Sequence, residues 1–129
     1  MKLLLLALSF VLIQGCTSTP DRLHSLDMSL IGYEKALRWG HEDTLAGFMV
    51  SEQSIDTDLI KRFNQIDIAG YNTLGRTLSE DLNRAELTVA IDYIDNESMS
   101  VRDLIDKQVW VYDEEVGRWL LMSALPHFK

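Results

Sequence analysis

About halfway along the chain the spacing of its apolar residues changes, and that change limits the folds open to it more than any other feature. From Leu26 to Trp39, the residues Leu26, Leu30, Tyr33 and Leu37, together with Met28 and Ile31, recur every three or four positions, the period of a helix with one buried side. Between Leu87 and Tyr93 the period is two, with Leu87, Val89, Ile91 and Tyr93 alternating with Thr88, Ala90 and Asp92, the pattern of a strand buried on one face. Helices first, then strands joined by short polar turns, imply an α+β fold: N-terminal helices packed on a curved, antiparallel, four-stranded meander.

Local signals divide each half further. Ser25 or Asp27 is a candidate N-cap for the first helix, and Gly40 follows Trp39 where a left-handed C-cap residue belongs. A second helix is expected from Asp43 to Met49, and another turn or two over Asp58 to Asn64 with Leu59, Ile60 and Phe63 as its apolar side. Strands are expected over Ile66 to Leu74, Leu87 to Tyr93, Val101 to Tyr112 and Arg118 to Ala124, with polar turns at Asp95–Ser98 and Asp113–Gly117. The third strand is ambiguous in facing: Leu104, Trp110 and Tyr112 share one side, and Val101, Ile105, Val109 and Val111 the other.

The amino-terminal stretch has a separate job. Lys2 precedes an apolar core of eleven residues, Leu3 to Ile13, interrupted only by Ser9, and Gly15-Cys16 closes the run with small side chains, the layout of a cleavable export signal. A membrane-spanning helix needs about 20 apolar residues to cross roughly 30 Å of hydrocarbon, and this run stops short of that. Cys16, the one cysteine of the chain, sits at the expected cut. Ile13-Gln14-Gly15-Cys16 resembles the lipobox of bacterial lipoproteins, although Gln14 departs from the small or apolar residue usual there. The resemblance implies that residues 1–15 are removed and that Cys16 is acylated on its sulfur and on its new amino group. Several acyl chains make a stable membrane anchor, which a single chain does not. Thr17 rather than Asp follows the cysteine, which in the enterobacterial members of that family implies an outer-membrane location, here facing the periplasm. The alternative is an ordinary secreted protein with Cys16 discarded or free. Residues 16–24 are then expected to form a lipidated cysteine and short polar tether, Pro20 disfavouring helix at Thr19, and residues 25–129 a single α+β domain.

Removing residues 1–15 leaves 114 residues with 11 Lys and Arg against 20 Asp and Glu, a net charge of −9. Such a surface repels phosphate backbones, so no nucleic-acid partner is expected. With no cysteine after Cys16, disulfide staples and thiolate metal sites are excluded from the domain. His24, His41 and His127 have no metal-binding spacing to one another and are expected in solvent, so no metal is expected. Gly-x-Ser-x-Gly is absent, as is a phosphate-cradling glycine loop, and no cofactor is expected.

Tyr33 to Phe48, and again Trp110-Val-Tyr-Asp, Gly117-Arg-Trp-Leu-Leu and Leu125-Pro-His-Phe128, resemble the nuclear-transport-factor-2-like and cystatin-like folds. Isomerase-like members of that group place a carboxylate inside the cone between sheet and helices, where desolvation tunes it as a base. Asp103 and Lys107 share a face with Val101, Ile105 and Val109, so Asp103 is the candidate buried acid if that face points inward, and a surface residue if it does not. Asp92 belongs outside. Tyr33, Trp39, Tyr71, Tyr93 and Trp110 are candidates to line an apolar pocket, or else are core. The expectation is a non-enzymatic, membrane-anchored envelope lipoprotein whose domain binds a small apolar ligand or another envelope protein. The alternatives are an isomerase-like or hydrolase-like enzyme with a buried acid, and an accessory subunit of an envelope complex.

Overall fold

A computed structural model of the chain describes residues 19–50 and 55–129; Cys16 lies outside them. Three helices, α1 (Thr19–Trp39), α2 (Glu42–Phe48) and α3 (Thr57–Phe63), precede four strands, β1 (Ile66–Leu78), β2 (Arg84–Asp95), β3 (Ser100–Asp113) and β4 (Arg118–Leu121). The strands pair in chain order into one antiparallel sheet, β1-β2-β3-β4, and the helices pack on its inner face, as the change of period implied.

The first helix begins earlier than expected. Residues 19–24 are helical rather than a tether, and neither Ser25 nor Asp27 is a cap. Proline in the first turn costs no hydrogen bond, because the first N–H groups of a helix have no partner within it. Tertiary contacts then hold the turn. Arg22 bonds to the Asp81 carbonyl and the Asn83 side chain and pairs with Glu114, while Trp119 Nε1 donates to the Arg22 carbonyl at 3.0 Å. Leu26, Tyr33, Ala36 and Leu37 form the buried side of α1, and Met28 and Ile31 face solvent. The helix stops at Gly40, whose φ of +64° favours glycine.

β2 is buried on alternate residues from Ala85 to Asp95. Its inward side chains Leu87, Val89, Ile91 and Tyr93 meet the helices in the core, and Asp92 is exposed, as expected. β1 carries register shifts at Ile68/Gly70 and Thr73/Gly75, which bend and twist an edge strand. At the first, a Cβ on Gly70 would approach Asp92 Oδ2 to 2.9 Å, a contact that the exposed Asp92 side chain relieves by swinging aside. β4 ends at Leu121, short of the expected Ala124: Ser123 Oγ takes the Val109 N–H at 3.0 Å, replacing the next rung of the ladder. The remaining segment to Lys129 has no regular structure, yet Leu125, Pro126 and Phe128 are buried.

Candidate functional site

The segment after β4 runs back beside α3 and leaves an apolar hollow of about 610 Å³ between them. Met49 enters it from the end of α2, where the chain makes a parallel bridge to Leu121 and the Val50 N–H bonds to the Leu121 carbonyl at 3.3 Å. Ile55 and Leu59 come from the start of α3, which Asp56 caps by accepting the Asp58 N–H at 3.1 Å. Leu125 and Phe128 form the opposite wall. The volume falls within the range of small-molecule sites.

Arg62 closes one end of the hollow. It donates to Asp95 Oδ2 at 2.8 Å, to the Phe128 carbonyl at 3.3 Å and to the main-chain oxygen of Lys129. Arg102 and the Tyr93 hydroxyl also donate to that Lys129 oxygen, at 3.1 and 3.2 Å. Arg62, with help from the Ser98 and Glu97 N–H groups, holds the Asp95 carboxyl at a pKa of about 2. The clamp fixes the wall: Phe128 stacks edge-on against Phe63 and Tyr93, with centroids 5.3 and 5.0 Å apart.

A second constellation lies inside the sheet. Asp106 and Gln108 are buried on the inner face of β3. Gln108 Nε2 donates to Asp106 Oδ2 and to the Tyr71 hydroxyl, each at 2.8 Å, and Gln108 Oε1 accepts from Trp110 Nε1 at 3.0 Å. Burial raises the Asp106 carboxyl above its ordinary range, against the lowering effect of the Gln108 bond. Burial also pushes the Tyr71 hydroxyl to about 12, with Asp106 and Glu34 adding to it against the Gln108 bond. Tyr33, fully buried, is raised by burial, then by Asp106 and Tyr71, and its hydroxyl has no hydrogen-bond partner among the described residues.

The candidate residues are therefore scattered. Tyr33 and Trp110 are core, stacked edge-on at 5.2 Å. Tyr93 is core against Phe128. Tyr71 lines a separate hollow of about 400 Å³ between α1 and β1, with Leu30 and Leu87. Trp39 is 71% exposed, beside a small hollow of about 180 Å³ near Gly40 and Phe63. None of the five lines the 610 Å³ hollow. Asp103 is exposed on the outer face with Lys107, Val101 and Ile105, so it is not the buried acid. That place belongs to Asp106, because the face carrying Trp110 is the inward one. His24, His41 and His127 are all exposed. Among the described residues, no group of three or more His, Cys, Asp or Glu is placed to hold a metal, and no helix is long and apolar enough to cross a membrane.

The same architecture recurs in solved structures. A ketosteroid isomerase-like protein from Erwinia carotovora atroseptica SCRI1043 superposes with a TM-score of 0.55 at 10% identity, covering 78% of this chain and 91% of its own. A protein of unknown function with a cystatin-like fold from Nostoc punctiforme PCC 73102 superposes at 0.52, again at 10% identity, covering 81% and 88%. The fold is nuclear-transport-factor-2-like and cystatin-like. At this identity the likeness extends to the fold alone, which hosts enzymes and binding modules alike. No family model matches the chain, and no curated protein does.

Proposed function

We propose that the chain is a bacterial envelope lipoprotein, anchored through acylated Cys16, whose domain is a non-catalytic binding module for a small apolar ligand. The apolar hollow between α3 and the C-terminal segment carries this reading. Its volume suits a small molecule, Leu59, Leu125, Ile55 and Met49 supply the apolar contact, and Arg62 with His127 leaves polar groups at the rim to orient one end of a ligand. A net charge of −9 on the mature part argues against nucleic acid as the partner. Supporting the envelope location are the signal-like residues 1–15 and the lipobox-like Ile13-Gln14-Gly15-Cys16.

Binding is tested by titrating the domain with an environment-sensitive apolar fluorophore such as N-phenylnaphthylamine. Saturable enhancement is expected for the wild type, with at least about a tenfold loss of affinity in Leu59→Asp, since a buried unpaired carboxylate costs more than the 1.4 kcal/mol that a factor of ten represents. Leu59 is half-buried, so the variant's fold is checked by its unfolding midpoint. Absence of saturable binding, or equal binding to a folded Leu59→Asp, rejects the hollow as the site.

One observation favours a second, catalytic reading. Asp106 is a desolvated carboxyl with a raised pKa beside Tyr71 and Tyr33, the kind of tuned acid that an isomerase-like or hydrolase-like enzyme employs. Asp106 is buried and lines none of the three hollows. The binding module is therefore preferred.

A further inference from the structure

The two ends of the sheet differ in how they hold α1. At one end Leu78 pairs with Ala85, Arg84 with Val111 and Asp113 with Arg118, which brings the β1–β2 turn and the β3–β4 hairpin together. Arg22 is bound there, bonded to Asp81 and Asn83, paired with Glu114 at 2.9 Å, and with its guanidinium 4.5 Å above the Tyr112 ring. At the other end Ile66 pairs with Asp95 and Asp95 with Ser100. Arg62 and Phe128 pack there on Asp95 and Tyr93, and the last turn of α1 borders Phe63 and Ile66. The 21 residues of α1, about 31 Å at 1.5 Å per residue, thus run from the first end to the second.

Cys16 stands three residues ahead of Thr19, and three residues reach at most about 11 Å. The inference rests on the reading that Cys16 is acylated, which fixes that residue at the bilayer surface. Because Arg22 rivets the start of α1 to the domain, only Thr17 and Ser18 stand between the anchor and α1. We propose that the end of the domain formed by the β1–β2 turn and the β3–β4 hairpin rests on the headgroup layer of the anchoring bilayer. The Arg62–Phe128 end of the apolar hollow then faces away from that bilayer.

The chemistry of this end suits headgroups and water rather than hydrocarbon. Asp81 Oδ1 accepts from the Ser79 hydroxyl and the Asn83 N–H, and Asp113 Oδ1 from the Glu115 and Val116 N–H groups, so both turns close on their own side chains. Glu80, Asp81, Arg84, Glu114, Glu115 and Arg118 are exposed there, and such charges stay out of the acyl region. A ligand for the hollow would accordingly arrive from the aqueous side.

The test uses the full-length lipidated protein, purified from membranes and reconstituted into phosphatidylcholine vesicles that contain a lipid with a nitroxide on its headgroup. A maleimide fluorophore is placed on Val116→Cys or on Trp39→Cys, positions 56% and 71% exposed at opposite ends of α1; the acylated Cys16 sulfur does not react. Vesicle flotation selects the anchored protein. Quenching is expected to be several-fold greater at position 116 than at 39. Equal or reversed quenching in floated protein overturns the orientation and leaves the anchor standing. Protein that does not float overturns the anchor, and the orientation with it.

Discussion

Asp106 has its carboxyl buried in the sheet with a hydrogen bond from Gln108 and, among the described residues, no salt-bridge partner. Its folded pKa is raised, so the folded state holds a proton that the unfolded chain releases first. The stability that this proton contributes is complete below the ordinary carboxylate range, near pH 4, and is lost as pH rises through the raised folded value. Asp106→Asn keeps the acceptor for Gln108 and removes the titration. At neutral pH the variant is expected to be more stable than the wild type by on the order of 1 kcal/mol, the gap vanishing toward pH 4. Urea denaturation of both proteins across that range measures it; a gap that does not change with pH counts against a raised carboxyl. Alternation does not single out this residue, because β3 carries apolar residues on both faces. Val101, Ile105, Val109 and Val111 promise a buried side as well as Leu104, Trp110 and Tyr112 do. The inward face proved to be the one interrupted by Asp106 and Gln108, polar residues that alternation alone assigns to solvent. Their burial is offset by a hydrogen-bond chain through Tyr71 and Trp110, whose partners are distant in sequence or invisible to a period count.

At the level of elements, the helices and strands are legible in kind and most of their ends to within one residue; the start of α1, both ends of β2 and the far ends of β1 and β4 are not. The end of α1 is set locally: Gly40 is the expected C-cap, and its φ of +64° makes it one. Gly40→Ala is expected to destabilise the protein by about 1 kcal/mol, because a Cβ disfavours the left-handed region, and a lowered urea midpoint with an unchanged slope would show it. α1 starts seven residues before the expected Leu26, since caps and Pro20 are local signals only. The contacts that extend the helix, from Arg22 to Asn83, Glu114 and Trp119, are 61 or more residues away in the chain. β4 was overestimated for a similar reason, as Ser123 competes for the Val109 N–H through its side chain.

For the whole molecule, the clamp of Arg62 on Asp95 and on the Phe128–Lys129 main chain joins α3, β2 and the C-terminal segment. Asp95 sits near a pKa of 2, depressed from 3.8. Its contribution is present above the unfolded value and is lost as pH falls through the folded one, that is between about pH 4 and pH 2. Arg62→Ala removes the largest cause of the depression, so the variant's stability is expected to fall less steeply than the wild type's over that window; an identical acid limb counts against the clamp. The sequence by itself determined the α+β order, the single sheet built as a meander and the negative charge, since each follows from residue types and their short spacing. Only the tertiary structure decided which face of β3 is inside, that Asp106 rather than Asp103 is the buried acid, that Trp39 is exposed, and that the apolar hollow lies between α3 and the C-terminal segment. Those outcomes depend on contacts between residues far apart in the chain, made when the curved sheet closes on its helices, and no local period encodes them.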